Sequence, residues 1–248
     1  MGITQIIDPF YRNLDPQSFR KQFQNGQIAW VPAAFSVGLP MVMEVERDTP
    51  QDHFASRFKI RPMLDTDFRK RSKLPIKLLN LGETEELIVS RSKLRPALVF
   101  LASPSVFPDL TKDLKKFGKG YLEEDCVAVI PLYSIQKFDN DTGFPAVMIA
   151  RIKALMYNQF FFCPKRISAL PYDSLARLDR LFFMRPIHPA FQPTDLALSD
   201  DCLLLLSVML RRFLRVGGSR EEEEAFLAFK ELALETLPPE AKPPADAT

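Results

Sequence analysis

Short apolar runs, each containing or following a proline, are the feature that most limits what this chain can fold into. Residues 97–102, 126–133 and 146–152 have the length of a strand and contain many β-branched side chains. The chain has 21 prolines against 9 glycines, which favours many short elements joined by stiff connections. We therefore predict that these three runs form the centre of a β-sheet.

Other segments predict the elements around this sheet. Asp15 and Pro16 at one end and Gly26 at the other predict a short helix. Residues 54–86 are predicted to be irregular, and residues 105–120 to form a helix or a long loop. Further strands are predicted at 27–31, 41–45, 156–163 and 178–184.

The spacing of apolar residues changes towards the C-terminus. An N-cap at Ser199 predicts a buried helix over 199–216. A capping box that begins at Ser219 predicts an additional helix over 219–237. Residues 238–248 are rich in proline and alanine and are predicted to be a disordered tail. The whole pattern is that of a mainly β fold with helices, of the α+β class.

Composition and motifs argue against several classes of function. The sequence contains no G-x-x-x-x-G-K-[ST], G-x-G-x-x-G or H-E-x-x-H motif, so neither a nucleotide-driven enzyme nor a zinc hydrolase is indicated. Its three cysteines show no C-x-x-C spacing and are predicted to be reduced core residues. No apolar run is long enough to span a bilayer. We expect a cytoplasmic protein that needs no cofactor, no metal and no membrane.

Positive charge is concentrated in the middle of the chain. Residues 57–119 contain 15 Lys and Arg and 7 Asp and Glu, so their net charge is +8, whereas the whole chain carries +2 and the remainder −6. The densest cluster consists of Arg69, Lys70, Arg71 and Lys73. This asymmetry predicts a surface that binds a polyanion, with a solvated loop as the alternative.

Several segments, taken in chain order, resemble the MazF/PemK-like toxin family. The sequence G-Q-I-A-W-V at 26–31 resembles the family's G-D-I-V-W-V strand, and R-P-A-L-V-F at 95–100 resembles R-P-A-L-V-L. The segment 127–134 is similar to a V-V-P-T-S-type strand, and 149–155 is similar to a D-Q-V-K-S-I strand. Residues 176–178, followed after an insertion by the helix that starts at 199, resemble the ending G-R-L-x-D-E-x-L. The shared order of these segments carries the resemblance.

The resemblance implies both a fold and a function. It implies a small SH3-like or CcdB-like β-barrel over residues 1–218, with inserted loops at 36–90 and packed C-terminal helices. Members of the family are commonly homodimeric toxins of toxin–antitoxin systems that cleave single-stranded RNA without a metal. The implied partners are therefore RNA, a second copy of the chain and an acidic antitoxin protein that occupies the RNA groove.

The resemblance also implies the catalytic residues. Arg95 matches the arginine of the R-P pair, which neutralises the scissile phosphate, and Tyr133 or Ser134 matches the hydroxyl residue after the proline. A fixed arginine and a hydroxyl group could stabilise phosphoryl charge and assist proton transfer. Further RNA contacts are expected from basic side chains, namely Arg69, Lys70, Arg71, Lys73, Arg91, Lys93, Arg151 and Lys153.

Two positions depart from the family's pattern. The chain has Ser90 and Ala150 where the family often keeps acidic residues, and Glu85 and Glu86 are candidates to replace one of them. A non-catalytic relative that binds nucleic acid or protein is therefore the alternative interpretation.

Overall fold

A computed structural model describes residues 2–35, 38–47, 56–70, 81–102, 106–135 and 143–242. The chain forms two units. The main unit consists of Met1–Val31 and Leu94–Thr248, and the middle unit consists of Pro32–Lys93. The segment predicted as an insertion, 36–90, falls within the middle unit.

Strands and helices alternate along the chain, and the fold is α+β. The strands are β1 (Tyr11–Asn13), β2 (Gln27–Phe35), β3 (Met41–Arg47), β4 (Ser56–Pro62), β5 (Ile88–Val89), β6 (Arg91–Ala102), β7 (Cys126–Ser134), β8 (Phe160–Cys163), β9 (Ser174–Arg177), β10 (Phe182–Met184) and β11 (Gln192–Leu198). The helices are α1 (Ile3–Ile6), α2 (Thr111–Lys116), α3 (Ala146–Lys153), α4 (Asp200–Leu214) and α5 (Arg220–Glu235). Short 3₁₀ helices lie at Gly120–Glu123, Leu178–Arg180 and Pro239–Ala241.

The main sheet is an antiparallel, curled half-barrel in which β7 is a central strand. Its order is β1-β11-β2-β6-β7-β9-β8, and β10 also pairs with β7. Ala97 of β6 lies opposite Pro131 of β7, and Leu175 of β9 lies opposite Tyr133 of β7. Strand β10 pairs with β7 near Val129. The predicted strands at 97–102 and 126–133 are confirmed, and so are those at 27–31 and 41–45.

Both faces of this sheet are covered, which explains the continuous apolar runs in the sequence. On one face, Leu98 and Ile130 pack against residues of α1, α3, α4 and α5. On the other, Ala97 and Val99 pack with Phe191 in a smaller cluster. Since neighbouring residues of a strand point to opposite faces, two covered faces need apolar side chains at successive positions.

The two C-terminal helices begin where their caps predict. The Ser199 hydroxyl accepts a hydrogen bond from the backbone N–H of Cys202 at 3.4 Å, and Ser219 and Glu222 form the reciprocal capping box of α5. Caps of this kind contribute about 1 kcal/mol each. Among the described residues, no helix has the length and apolar character needed to cross a membrane.

The strand predicted at 146–152 is wrong, because these residues form α3. Met148 and Ile152 of α3 pack on the main core, whereas Val147 and Ala150 pack on a separate cluster that contains Ala241. A helix that is apolar on two sides produces an unbroken apolar run, and such a run cannot be distinguished from a buried strand by its pattern.

Three further predictions differ from the structure. Residues 15–26 form turns instead of a helix, and the 54–86 segment contains β4 in regular pairing with β3. The late strands are shorter than predicted, at Phe160–Cys163 and Phe182–Met184. Within the predicted tail, the 3₁₀ helix ends at Ala241, which is fully buried; residues 243–248 lie outside the described residues.

The middle unit contains its own three-stranded antiparallel sheet, in the order β4-β3-β5. All seven residues of β3 pair with β4, from Met41 opposite Pro62 to Arg47 opposite Ser56. The last residues of β2 and the first residues of β6 also belong to this unit.

Candidate nucleic-acid interface

Two predicted catalytic residues, Arg95 and Tyr133, come together on neighbouring strands. Ala97 pairs with Pro131, and two further steps along each strand bring Arg95 to the position opposite Tyr133. The Arg95 guanidinium carbon lies 4.3 Å from the centroid of the Tyr133 ring. A cation over a ring at this distance contributes about 0.5–2 kcal/mol, depending on solvent exposure. Both side chains are half-buried, so the arginine is held in place while part of it faces solvent.

A second arginine lies against the same ring from the other neighbouring strand. The guanidinium carbon of Arg177, the last residue of β9, is 5.4 Å from the Tyr133 ring centroid and 5.8 Å from that of Phe160. Phe160 is paired with Arg177 across β8 and β9. Pairing of β7 and β9 therefore places a second cation beside Tyr133. We call the surface formed by Arg95, Tyr133, Arg177 and Phe160, together with Asp179, the Tyr133 face.

Asp179 lies in the 3₁₀ helix that separates β9 from β10, and it holds the guanidinium of Arg177. Arg177 Nε donates a hydrogen bond to Asp179 Oδ1 at 3.0 Å, and Arg177 Nη2 donates to Asp179 Oδ2. Arg180 Nε lies 3.7 Å from the same carboxylate. The pair is bidentate, a geometry that fixes both the position and the plane of the guanidinium.

This contact determines the charge state of the pair. Partial burial acts to raise the pKa of Asp179, but the hydrogen bonds and positive charge of Arg177 outweigh it and lower the pKa. Hydrogen bonds to Asp179 raise the pKa of Arg177. At neutral pH, Asp179 is therefore an ionised carboxylate. The two arginines that contact Tyr133 together exceed this single negative charge, so the Tyr133 face carries net positive charge.

Ser134, the third predicted catalytic residue, lies on the other side of the strand. It is exposed and pairs with the buried Ser174 of β9. Because successive side chains of a strand point to opposite faces, the Ser134 hydroxyl and the Tyr133 ring are directed to different sides of the sheet. The structure therefore brings Arg95 together with Tyr133 and does not bring Ser134 to the same face.

The basic residues predicted to bind RNA occupy several places. Arg91 and Lys93 are exposed at the start of β6, within the middle unit. Arg69 is exposed, and Lys70 Nζ lies 3.2 Å from a carboxylate oxygen of Glu83. The other two members of the cluster, Arg71 and Lys73, lie outside the described residues.

Arg151 and Lys153 are on a helix, α3, and make local contacts. Arg151 donates hydrogen bonds to the carbonyl oxygens of Ala241 and Lys242, at 2.9 and 3.3 Å. Lys153 Nζ lies 4.3 Å from the ring centroid of Phe162. Arg151 thus fixes the C-terminal segment against α3.

Sequence reasoning missed Asp179 and did not assign Arg177 a role. An arginine and an aspartate two residues apart, directly after a short apolar run, form the local signal that could have identified the ion pair. Contact with Tyr133 has no such signal, because it depends on the pairing of β7 with β9. Within the described part of the chain, no group of three or more His, Cys, Asp and Glu side chains is placed to hold a metal ion. No protein-family model, curated protein or solved structure matches this chain.

Proposed function

We propose that this chain binds single-stranded RNA on the Tyr133 face and cleaves it without a metal ion. The observation that carries the proposal is the position of two guanidinium groups, those of Arg95 and Arg177, 4.3 and 5.4 Å from one tyrosine ring. Arginine matches a phosphate with a planar, bidentate set of donors, and an exposed ring edge offers a surface on which a base can stack. The arrangement fits a phosphodiester with an adjacent base.

The same side chains fit the chemistry of RNA cleavage by its own 2′-hydroxyl. The 2′-oxygen forms a bond to phosphorus while the bond to the 5′-oxygen of the next nucleotide breaks. Asp179, kept ionised by Arg177, can accept the 2′-hydroxyl proton, and the Tyr133 hydroxyl can donate a proton to the leaving oxygen. Arg95 and Arg177 stabilise the negative charge that develops on the phosphoryl oxygens. An acid from residue 179 thus takes the place of those that the family pattern lacks at Ser90 and Ala150.

One observation favours the alternative of a binding module without catalysis. Both oxygens of the Asp179 carboxylate accept hydrogen bonds from Arg177, and this engagement lowers its basicity. In that case RNA binds through the arginines and Tyr133 and is released uncleaved. The two functions share the same surface and differ in turnover.

The toxin role, the homodimer and the acidic antitoxin rest on the family resemblance, as does the assignment of the curled sheet to an SH3-like or CcdB-like barrel. Net positive charge on the Tyr133 face supports an acidic antitoxin as the inhibitor of this surface. Light scattering at micromolar concentration measures the oligomeric state, and a monomer mass at all concentrations would remove the dimer from this proposal.

The test is cleavage of a long unstructured RNA in the presence and absence of EDTA. Arg95→Ala should reduce the rate by roughly 10² to 10³, because a preorganised charge on the transition state is lost, and Arg95→Lys should recover only part of it. Tyr133→Phe keeps the ring and removes the proton donor, whereas Ser134→Ala, on the other side of the sheet, serves as its matched control. Circular dichroism checks the fold of each variant.

Each outcome separates the two functions. RNA binding without cleavage by the natural sequence would support the binding module, and cleavage that survives Arg95→Ala would place the active site elsewhere. Absence of both binding and cleavage would reject both.

A further inference from the structure

A cavity of about 310 Å³ lies beside the Tyr133 face, in the main unit. Its walls come from the segment after α3, from α4 and from α5. The polar side chains among its lining residues are Tyr157, Asn158, Gln159, Arg212 and Lys230. Its floor includes the apolar side chains of Met209 and Phe226. A cavity with an apolar floor and a few polar groups at its walls is the usual form of a small-ligand site.

Three of these polar groups have no protein partner. Neither the side-chain amide of Asn158 nor that of Gln159 forms a hydrogen bond with another described residue, and the Lys230 ammonium forms no ion pair with one. Arg212 differs, because its guanidinium is paired with Glu223 and lies 4.8 Å from the Phe226 ring centroid. Arg212 therefore forms a wall, while the two amides and Lys230 remain able to bind a ligand.

Ring contacts connect this cavity to the two arginines. The centroids of Tyr157 and Phe160 are 5.9 Å apart, and the Phe160 centroid is 5.8 Å from the guanidinium carbon of Arg177. Arg177 in turn contacts Tyr133. A polymer that places a phosphate at Arg177 therefore passes within reach of Tyr157.

We infer that the cavity is a subsite for one unpaired nucleobase of the RNA that crosses the Tyr133 face. This inference rests on the proposed function. Tyr157 provides a ring for stacking, which every base can use. The amides of Asn158 and Gln159 each offer a donor and an acceptor for the edge of the base. Lys230 provides a positive charge for the adjoining phosphate.

A free mononucleotide has the same chemistry as a nucleotide within a strand, so the test must distinguish the two. We use a fluorescent heptanucleotide with 2′-O-methyl groups, which removes the attacking hydroxyl and makes binding measurable without cleavage. An abasic site is introduced at each position in turn, and the affinities of the four nucleoside monophosphates are measured separately. The monophosphates should bind at least about 10² times more weakly than the heptanucleotide, because they lack the contacts to the two arginines.

One abasic position should weaken binding about 10-fold, as expected for the loss of one stacked base. In Tyr157→Leu this penalty should disappear, while the remaining affinity is kept. In the double variant Asn158→Ala with Gln159→Ala, the penalty should remain but the preference among the four bases at that position should be lost. Gln17→Ala and Lys21→Gln, which alter exposed residues of the turns before β2, are the matched controls.

Failure of this inference can be distinguished from failure of the proposed function. If the natural sequence does not bind the heptanucleotide, the proposed function fails and the subsite with it. If it binds but no abasic position matters, or the penalty persists in Tyr157→Leu, the cavity is not a base subsite and RNA binding stands. A monophosphate that binds as tightly as the heptanucleotide would assign the cavity to a free nucleotide and overturn the inference.

Discussion

Each unit contains an arginine that forms a two-pronged pair with an aspartate, but the surroundings of the two pairs differ. In the middle unit, Arg61 donates to both carboxylate oxygens of Asp67, at 2.7 and 2.8 Å, and its Nε donates to Glu44 at 3.0 Å. Asp67 exposes only 6% of its side chain and also accepts a backbone hydrogen bond from Leu64. In the main unit, Arg177 has one carboxylate partner, Asp179, and its remaining contacts are aromatic.

The difference lies in the balance of charge. Arg61 is matched by two carboxylates, which raise its pKa further and leave no positive charge to attract an anion. On the Tyr133 face, Arg95 and Arg177 share one carboxylate. An ion pair with equal or excess negative charge organises a loop, whereas a surplus of fixed positive charge can bind a phosphate. The charge ratio distinguishes a structural arginine from a functional one in this molecule.

The largest expected effect separates these two arginines. Arg177→Ala should reduce RNA cleavage by roughly 10² to 10³, because it removes a fixed charge from the transition state. Arg61→Ala should leave cleavage per folded molecule unchanged within about threefold, although it should speed hydrogen exchange near β3 and β4 through the loss of local contacts. Single-turnover cleavage and amide exchange measure the two effects. Equal loss of activity in both variants would show that charge ratio does not identify the functional arginine.

Neutralising the aspartates should sharpen the comparison. Asp179→Asn should lower cleavage by about 10², as expected for the loss of a proton acceptor, while RNA binding is kept or strengthened because a negative charge has been removed from the face. Asp67→Asn should alter neither quantity. Fluorescence anisotropy with uncleavable RNA and a cleavage assay distinguish the effects. If Asp179→Asn weakens binding as much as it slows cleavage, Asp179 acts only by holding Arg177.

The parts of the structure that are decided locally could be predicted from the sequence. Caps at Ser199 and Ser219 act on neighbouring backbone groups, so the starts of α4 and α5 are visible in a few letters. The strands at 97–102 and 126–133 are short apolar runs next to proline, and they were recognised for that reason. Helix α3 was missed because two different clusters cover its opposite sides, which hides the helical period.

The candidate site depends on pairing between distant strands, and the sequence shows only part of it. Arg95 and Tyr133 were found through motifs within single strands. Arg177 joins them because β7 leaves β10 and pairs with β9 at Tyr133. The cluster at 69–73 was the most basic in the linear sequence, yet its Lys70 is paired with Glu83. Charge density along the chain therefore differs from charge density in space.

The salt dependence of RNA binding compares the basic groups of the two units. Replacing both Arg95 and Arg177 by Gln should reduce the slope of log affinity against log salt by about 2, or about 1 for each lost phosphate contact. The matched pair Arg69→Gln with Lys70→Gln should reduce it by less than about 1, because Lys70 already has a carboxylate partner. Titrations from low to moderate salt decide the point. A larger change for the second pair would move the main RNA contact to the middle unit.

The smallest expected effect is on stability, and it concerns the pair Arg177–Asp179 alone. Because the pKa of Asp179 is lower in the folded chain than its ordinary value, its ionised form stabilises the fold, and the full contribution is present above the ordinary pKa of aspartate, about 3.9. The contribution is lost as the pH falls through the lowered pKa of the folded state. Asp179 exposes 29% of its side chain, so we expect at most about 1 kcal/mol. Urea unfolding followed by the single tryptophan, Trp30, reports on the main unit. The natural sequence should be more stable than Asp179→Asn at pH 7, and the difference should shrink below the ordinary pKa because a protonated aspartate resembles asparagine. A difference that stays constant across this range would mean that the pair stabilises the fold through shape and hydrogen bonding, with no contribution from its charge.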